Sequence, residues 1–293
     1  MAFSAQSLMA LPIAPRQVTY DARTAMHYGL AVGMAADRRD PRELAFVYEQ
    51  NLTPVPSLAT VLGFDDSWIV PAGIDMTRVV HGAQRLTFLK ALPASGRLSI
   101  ACRIAGVVDK GAGRGTLIIQ ETSLNPAEGG SAYAIGQSTL FVRGAGGIGG
   151  SAGIAPEAHV LPARAPDRVL VQPTAQNQAL YFRLLGDYNP LHASPEAARQ
   201  AGFELPILHG ACTYGIACAT ILRGCCDFDP ARLREFEARF VGPVIPGENL
   251  AFLLWLDGDT VSFRAVSAER GVTVLDNGRA VVAPAAGERR SGG

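Results

Sequence analysis

The sequence predicts an α+β fold built twice, each half an antiparallel sheet packed on a helix. Two observations lead there: helix-forming text comes first and hairpin-connected strands come last in each half, and a stretch rich in Gly, Ala and Ser separates the halves. At 293 residues the chain is long enough for two domains, each with its own core.

In the first half, Leu98 to Val108 and Thr116 to Thr122 alternate or run apolar, as strands do, with the turn residues Asp109-Lys110-Gly111 between them. In the second, Asn249 to Leu256 and Val261 to Val266 behave the same way around Asp257-Gly258-Asp259. A helix is expected to begin at Gly210 and run through Ala211, Thr213, Ile216, Ala217 and Ile221, its small residues suited to burial on several faces. Gly144 to Gly153, followed by Pro156, Pro162 and Pro166, has the composition of a linker. The expected organisation is residues 1–145, a linker at 146–168, and residues 169–293.

A faint repeat relates the halves. Tyr28 and Gly33 correspond to Tyr181 and Gly186 at an offset of 153, and Phe88 corresponds to Phe240 at 152. The same offset of 153 sets Met34 against Asp187, Ala36 against Asn189, Arg39 against His192 and Pro56 against His209. None of the second half's proton-handling residues has a counterpart in the first, so chemistry is expected in the second half alone.

Formal net charge is zero and charged residues make up 18% of the chain, which excludes a general basic field for nucleic acid. No apolar run reaches membrane-spanning length; with no basic stretch followed by an apolar core near the start and Arg290-Ser291-Gly292-Gly293 at the end, neither a secretory leader nor a Ser-Lys-Leu peroxisomal address is expected. The five cysteines lack paired metal-type spacing and are odd in number, which suits a reduced, cytoplasmic setting. No dinucleotide or Walker-type glycine loop opens a helix. No metal or cofactor is expected.

The chemistry-bearing run is Gly186-Asp187-Tyr188-Asn189-Pro190-Leu191-His192, with His209-Gly210 ahead of the apolar helix. Pro190 keeps Asp187 and His192 off one regular helix, so the run reads as a bent loop. A carboxylate and an imidazole held together can share a water and trade its protons. Backbone N–H groups at Gly210 could stabilise charge on a carbonyl oxygen.

These residues resemble the signature of the MaoC-like, (R)-specific enoyl-CoA hydratases, the hydratase 2 family. Tyr181-Phe182 and Gly186 to His192 fit the pattern, with Leu185 where serine is usual. Ala201-Gly202-Phe203, Pro206 to Gly210, and Arg239-Phe240 through Pro246-Gly247 follow in order, and Val47-Tyr48-Glu49 and Val80-His81-Gly82 resemble the N-terminal half of two-domain members. The resemblance implies a double hot-dog fold, each half a sheet wrapped around a central helix, with the non-catalytic first half accommodating the acyl tail. It implies an acyl-CoA thioester substrate, coenzyme A entering only as part of it, and a homodimer. Asp187, His192, Asn189 and Gly210 become the expected catalytic positions, and Lys90, Tyr188, Pro190, Leu191 and Phe240 the expected substrate contacts. Arg234 and Arg239 are further candidates for the phosphates, His81 and His209 have structural readings as well as functional ones, and His27 and His159 remain unassigned. A hot-dog thioesterase, which would release free thiol, and a silent acyl-CoA binder are the alternatives.

Overall fold

The computed structural model describes residues 3–37 and 39–285, so the C-terminal text from Arg290 lies outside the described residues. In the first half, β1 (Arg16–Tyr20), β2 (Val79–Phe88), β3 (Gly96–Asp109), β4 (Thr116–Pro126) and β5 (Ala134–Val142) form the sheet, and a short β6 (Ala152–Gly153) pairs with β3. In the second, β7 (Arg168–Pro173), β8 (Leu233–Phe240), β9 (Asn249–Asp257), β10 (Thr260–Ser267) and β11 (Thr273–Val282) do so. The helices are α1 (Ala5–Met9), α2 (Ala22–Ala31), α3 (Pro41–Leu44), α4 (Leu58–Leu62), α5 (Gln178–Phe182), α6 (Pro195–Gln200) and α7 (Gly210–Cys225).

All strands belong to one antiparallel sheet in the order β1-β3-β4-β5-β2-β8-β11-β10-β9-β7, the second half repeating the first in mirror order. The halves join where β2 pairs with β8, Ala83 opposite Arg239 and Thr87 opposite Glu235. At the centre of that register Arg85 faces Glu237, two positions that differ by the repeat offset of 152. The pseudo-twofold axis therefore runs through this pair. In two identical copies that position would meet itself; here the divergent halves place a guanidinium opposite a carboxylate, and Arg85 Nη2 also donates to Glu235 at 2.7 Å.

The second half's helix is as expected. α7 spans 16 residues and is buried from Cys212 through Leu222. One of its small residues lets the first half come close: a Cβ on Gly215 would stand 2.7 Å from the Tyr28 hydroxyl and 2.5 Å from Val32, both brought there by α2 and the residue after it. The first half's helix is shorter. α4 has five residues, hemmed by Pro54 and Pro56 before it and Gly63 after it. Prolines lack the N–H a helix interior needs, so the space under the first sheet is only briefly helical.

The glycine-rich stretch after β5 folds back on the first half. The Asp109 carboxylate accepts the amides of Gly111, Gly147 and Ile148 at 2.8–2.9 Å, which holds its pKa below the usual carboxylate value. Between halves, Gln178 Nε2 donates to the Ala31 carbonyl at 2.9 Å, and Arg223 on α7 reaches the buried Glu43 at 2.8 Å. One core cluster runs through both halves.

Candidate active site

Three local devices shape the loop ahead of α6. Gly186 sits at φ +121°, a conformation that a side chain resists. Asp187 Oδ1 accepts the Asn189 amide at 3.1 Å, and Asn189 Oδ1 accepts the Leu191 amide at 3.0 Å, opening the short 3-10 turn Pro190–His192. The Asn189 backbone N–H thus bonds the Asp187 carboxylate, while its side-chain oxygen shapes the turn.

That turn buries His192 beside the segment leading into α7. The His192 Nδ1–H donates to the Ile207 carbonyl at 2.8 Å, because a carbonyl can only accept. Its Nε2 therefore carries the free lone pair. His209, 1% exposed and at the N-cap of α7, stacks on His192 with ring centroids 3.7 Å apart, and its Nε2–H donates to the main-chain carbonyl of Asp187 at 3.3 Å. One ligand-type atom from each of Asp187, His192 and His209 lies within 4.8 Å of the others. Burial lowers the pKa of His192 and, aided by its imidazole neighbour, pushes that of His209 down to about 4, so both rings are neutral at pH 7.

Gly210 completes the cluster. No side chain caps the first turn of α7, so its amides remain available at the positive end of a 16-residue helix. A Cβ at Gly210 would lie 3.4 Å from the Phe240 ring, which places Phe240 beside the helix N-terminus. His81 packs on that ring, centroids 4.6 Å apart, and bonds Gln84 Oε1 at 3.1 Å. The sequence reading left His81 outside the site; the antiparallel β2–β8 register that carries the start of β2 to the end of β8 is the signal that would have placed it. Tyr188 is 59% exposed beneath the Arg183 guanidinium, 5.0 Å from its ring centroid. Pro190 and Leu191 stay on the same loop.

Lys90, expected as a substrate contact, stands apart from this cluster. It follows the far end of β2, nine positions along the chain from His81, roughly 25–30 Å at strand geometry. There it lines a cleft with Pro54, Pro56, Phe88, Leu233 and Arg234, the last an expected phosphate contact. By the repeat, this cleft is the first half's counterpart of the site, with Pro56 where the second half has His209. Arg239 contacts Asn277, Glu49 is exposed, His27 meets the Tyr181 carbonyl and His159 meets Ser262.

Asp, His and His could suggest a metal site. The two rings, however, are only 28° from parallel. A single ion bound to both would lie well out of both ring planes, where imidazole nitrogen has no lone pair. The arrangement suits hydrogen-bonded proton handling better than coordination.

A sheet of two mirrored halves over one long buried helix, with an acid-base cluster at that helix's N-terminus, defines a double hot-dog protein. Residues 18–144 match the MFE-2 hydratase 2 N-terminal domain and residues 158–278 the MaoC like domain. The chain belongs to the MaoC-like hydratase 2 family and is a hydro-lyase. It is 34% identical to the peroxisomal enoyl-CoA hydratase 2 of Arabidopsis thaliana, the alignment covering 93% of this chain and 94% of that one. It is 33% identical to the peroxisomal multifunctional enzyme type 2 of Mus musculus over 88% of its own length, but spans only 36% of that enzyme. A solved MaoC-like dehydratase from Phytophthora capsici superposes with a TM-score of 0.86 at 31% identity, covering 96% of this chain and 99% of that one.

Proposed function

We propose that the protein adds water across the double bond of a trans-2-enoyl-CoA to give a (3R)-3-hydroxyacyl-CoA, and catalyses the reverse dehydration. The observation that carries this reading is the clustering of two proton acceptors, the Asp187 carboxylate and the His192 imidazole, whose Nε2 keeps its lone pair, with the segment that opens the uncapped N-terminus of α7. One water donating a hydrogen to each acceptor has its oxygen lone pair left for C3. As the O–C3 bond forms, the C2=C3 electrons move to C2 and onto the thioester oxygen, where the Gly210 N–H stabilises the charge. The proton taken from the water by Asp187 or His192 is then returned to C2 on the same face, so the elements of one water are added. Asn189 holds the Asp187 carboxylate, Phe240 shapes the space at Gly210, and Tyr188, Pro190 and Leu191 border the approach. The abbreviated α4 leaves the first half free to accommodate the acyl tail. The chemistry calls for no metal or redox cofactor, and coenzyme A enters as part of the substrate.

Incubation with crotonyl-CoA is expected to remove the absorbance of the conjugated thioester without releasing thiol. Stoichiometric free thiol would instead place the attack at the carbonyl.

A pH dependence follows. His192 must be neutral to accept a proton, and its folded pKa lies below the ordinary value of 6.5 because burial disfavours the imidazolium. The acid limb of kcat/KM is therefore expected below pH 6.5, with activity lost as pH falls through it. A limb centred above pH 6.5 contradicts the neutral-base assignment.

The same reading includes a cytoplasmic setting and a homodimer. Among the described residues no helix is long and apolar enough to cross a membrane. Light scattering is expected to give twice the chain mass of 30.8 kDa, and the single-chain mass would refute the dimer.

A further inference from the structure

The two imidazoles lace the site together in opposite directions. His192, on the Asp187 loop, donates to Ile207 on the segment leading into α7; His209, on that segment, donates back to the carbonyl of Asp187; and the rings stack between these bonds. We propose that His209 is a positioning residue for the hydration, setting the place of Asp187 through its Nε2–H and that of His192 through its ring. The inference rests on the hydratase reading.

His209 is anchored well enough to do this. Its carbonyl accepts the Thr213 amide at 3.0 Å and the Thr213 hydroxyl at 3.2 Å, and its ring is held between His192 and Phe182, the latter at 5.0 Å between centroids. It therefore carries the position of a buried helix across to a loop whose residues 186 and 188–190 are exposed.

The nitrogen that is not bonded argues the same way. His209 Nδ1 is buried without a partner among the described residues, an arrangement that costs stability. A phenylalanine would fill and stack in this space without that cost. What histidine alone supplies here is the Nε2–H donor to Asp187, so the ring does more than pack.

Two substitutions separate the functions. His209→Phe keeps an aromatic stack and removes the donor; His209→Gln restores an amide donor at comparable reach and removes the ring. A displacement of about 1 Å in a catalytic group can cost on the order of 10²-fold. His209→Phe is thus expected to lower kcat by roughly 10- to 100-fold with KM within about twofold and thermal stability unchanged or raised. His209→Gln is expected to recover part of that kcat. Wild-type hydration of crotonyl-CoA is measured first, and its absence would count against the hydratase reading itself. If the wild type is active, wild-type kcat in His209→Phe overturns the positioning role. A kcat loss in His209→Phe that glutamine leaves unrelieved, or that tracks a fall in melting temperature, overturns it too, because general packing would then suffice.

Discussion

Asp187→Asn is expected to lower kcat/KM for hydration by at least about 10²- to 10³-fold, the loss typical when one well-placed charge stabiliser is removed. The substitution preserves shape and leaves an oxygen able to accept the Asn189 amide, so the turn that begins there is retained. Asp187 is only partly buried, which also favours an intact fold. What is lost is the second proton acceptor beside His192. If the two act on one water as a unit, His192→Ala should cost a similar factor, and the double variant little more than either single one. Steady-state kinetics with circular dichroism as the folding control decide this. Full activity in Asp187→Asn, or two independent losses that multiply, would contradict the shared-water mechanism.

Glu43→Ala is expected to have a large stability effect, about 3 kcal/mol. Glu43 is 4% exposed and accepts the Ala36 amide at 2.6 Å. Its partner Arg223 lies on α7 and also donates to Gln172 at 2.9 Å and to the Gly33 carbonyl at 3.2 Å. The pair thus ties the first half's α3 to the second half's α7. Removing the carboxylate leaves a mostly buried guanidinium without its counter-charge, which is costlier than never having had the pair. Glu43→Gln should lose less, because one of the two donors keeps an oxygen to bond and the side chain still fills its place. Urea denaturation checks the order: stability within about 0.5 kcal/mol of wild type, the range of ordinary surface changes, would show that this bridge does not join the halves.

Local pattern made much of this molecule readable. The strands expected at Leu98 to Val108 and Asn249 to Leu256 lie within Gly96–Asp109 and Asn249–Asp257, since alternation and turn residues act over a few neighbours. The start of α7 at Gly210 was equally legible, because a run of small and apolar residues followed a natural boundary. The Asp187 turn was marked by Asp, Asn and Pro, each of which sets local backbone geometry. Contacts between distant segments were less legible. Glu43 and Arg223 stand 180 residues apart and announce nothing by spacing. Lys90 was expected as a substrate contact from family resemblance alone, and its distance from the Asp187 cluster follows from the length and direction of β2, which no local spacing announces. The shortness of α4 is in keeping with Pro54 and Pro56, which lack the N–H a helix interior needs. His209 was read as a possible cap; its place between Asp187 and His192 depends on two segments meeting, which no single stretch encodes.

The most direct test of the central claim is to incubate the purified protein with crotonyl-CoA and with a medium-chain trans-2-enoyl-CoA, following ultraviolet absorbance and free thiol together and resolving the product's configuration. Loss of absorbance, no thiol, and a (3R)-3-hydroxyacyl product abolished by Asp187→Asn is the predicted result. Free thiol, an (S) product, or turnover indifferent to Asp187 would contradict the account.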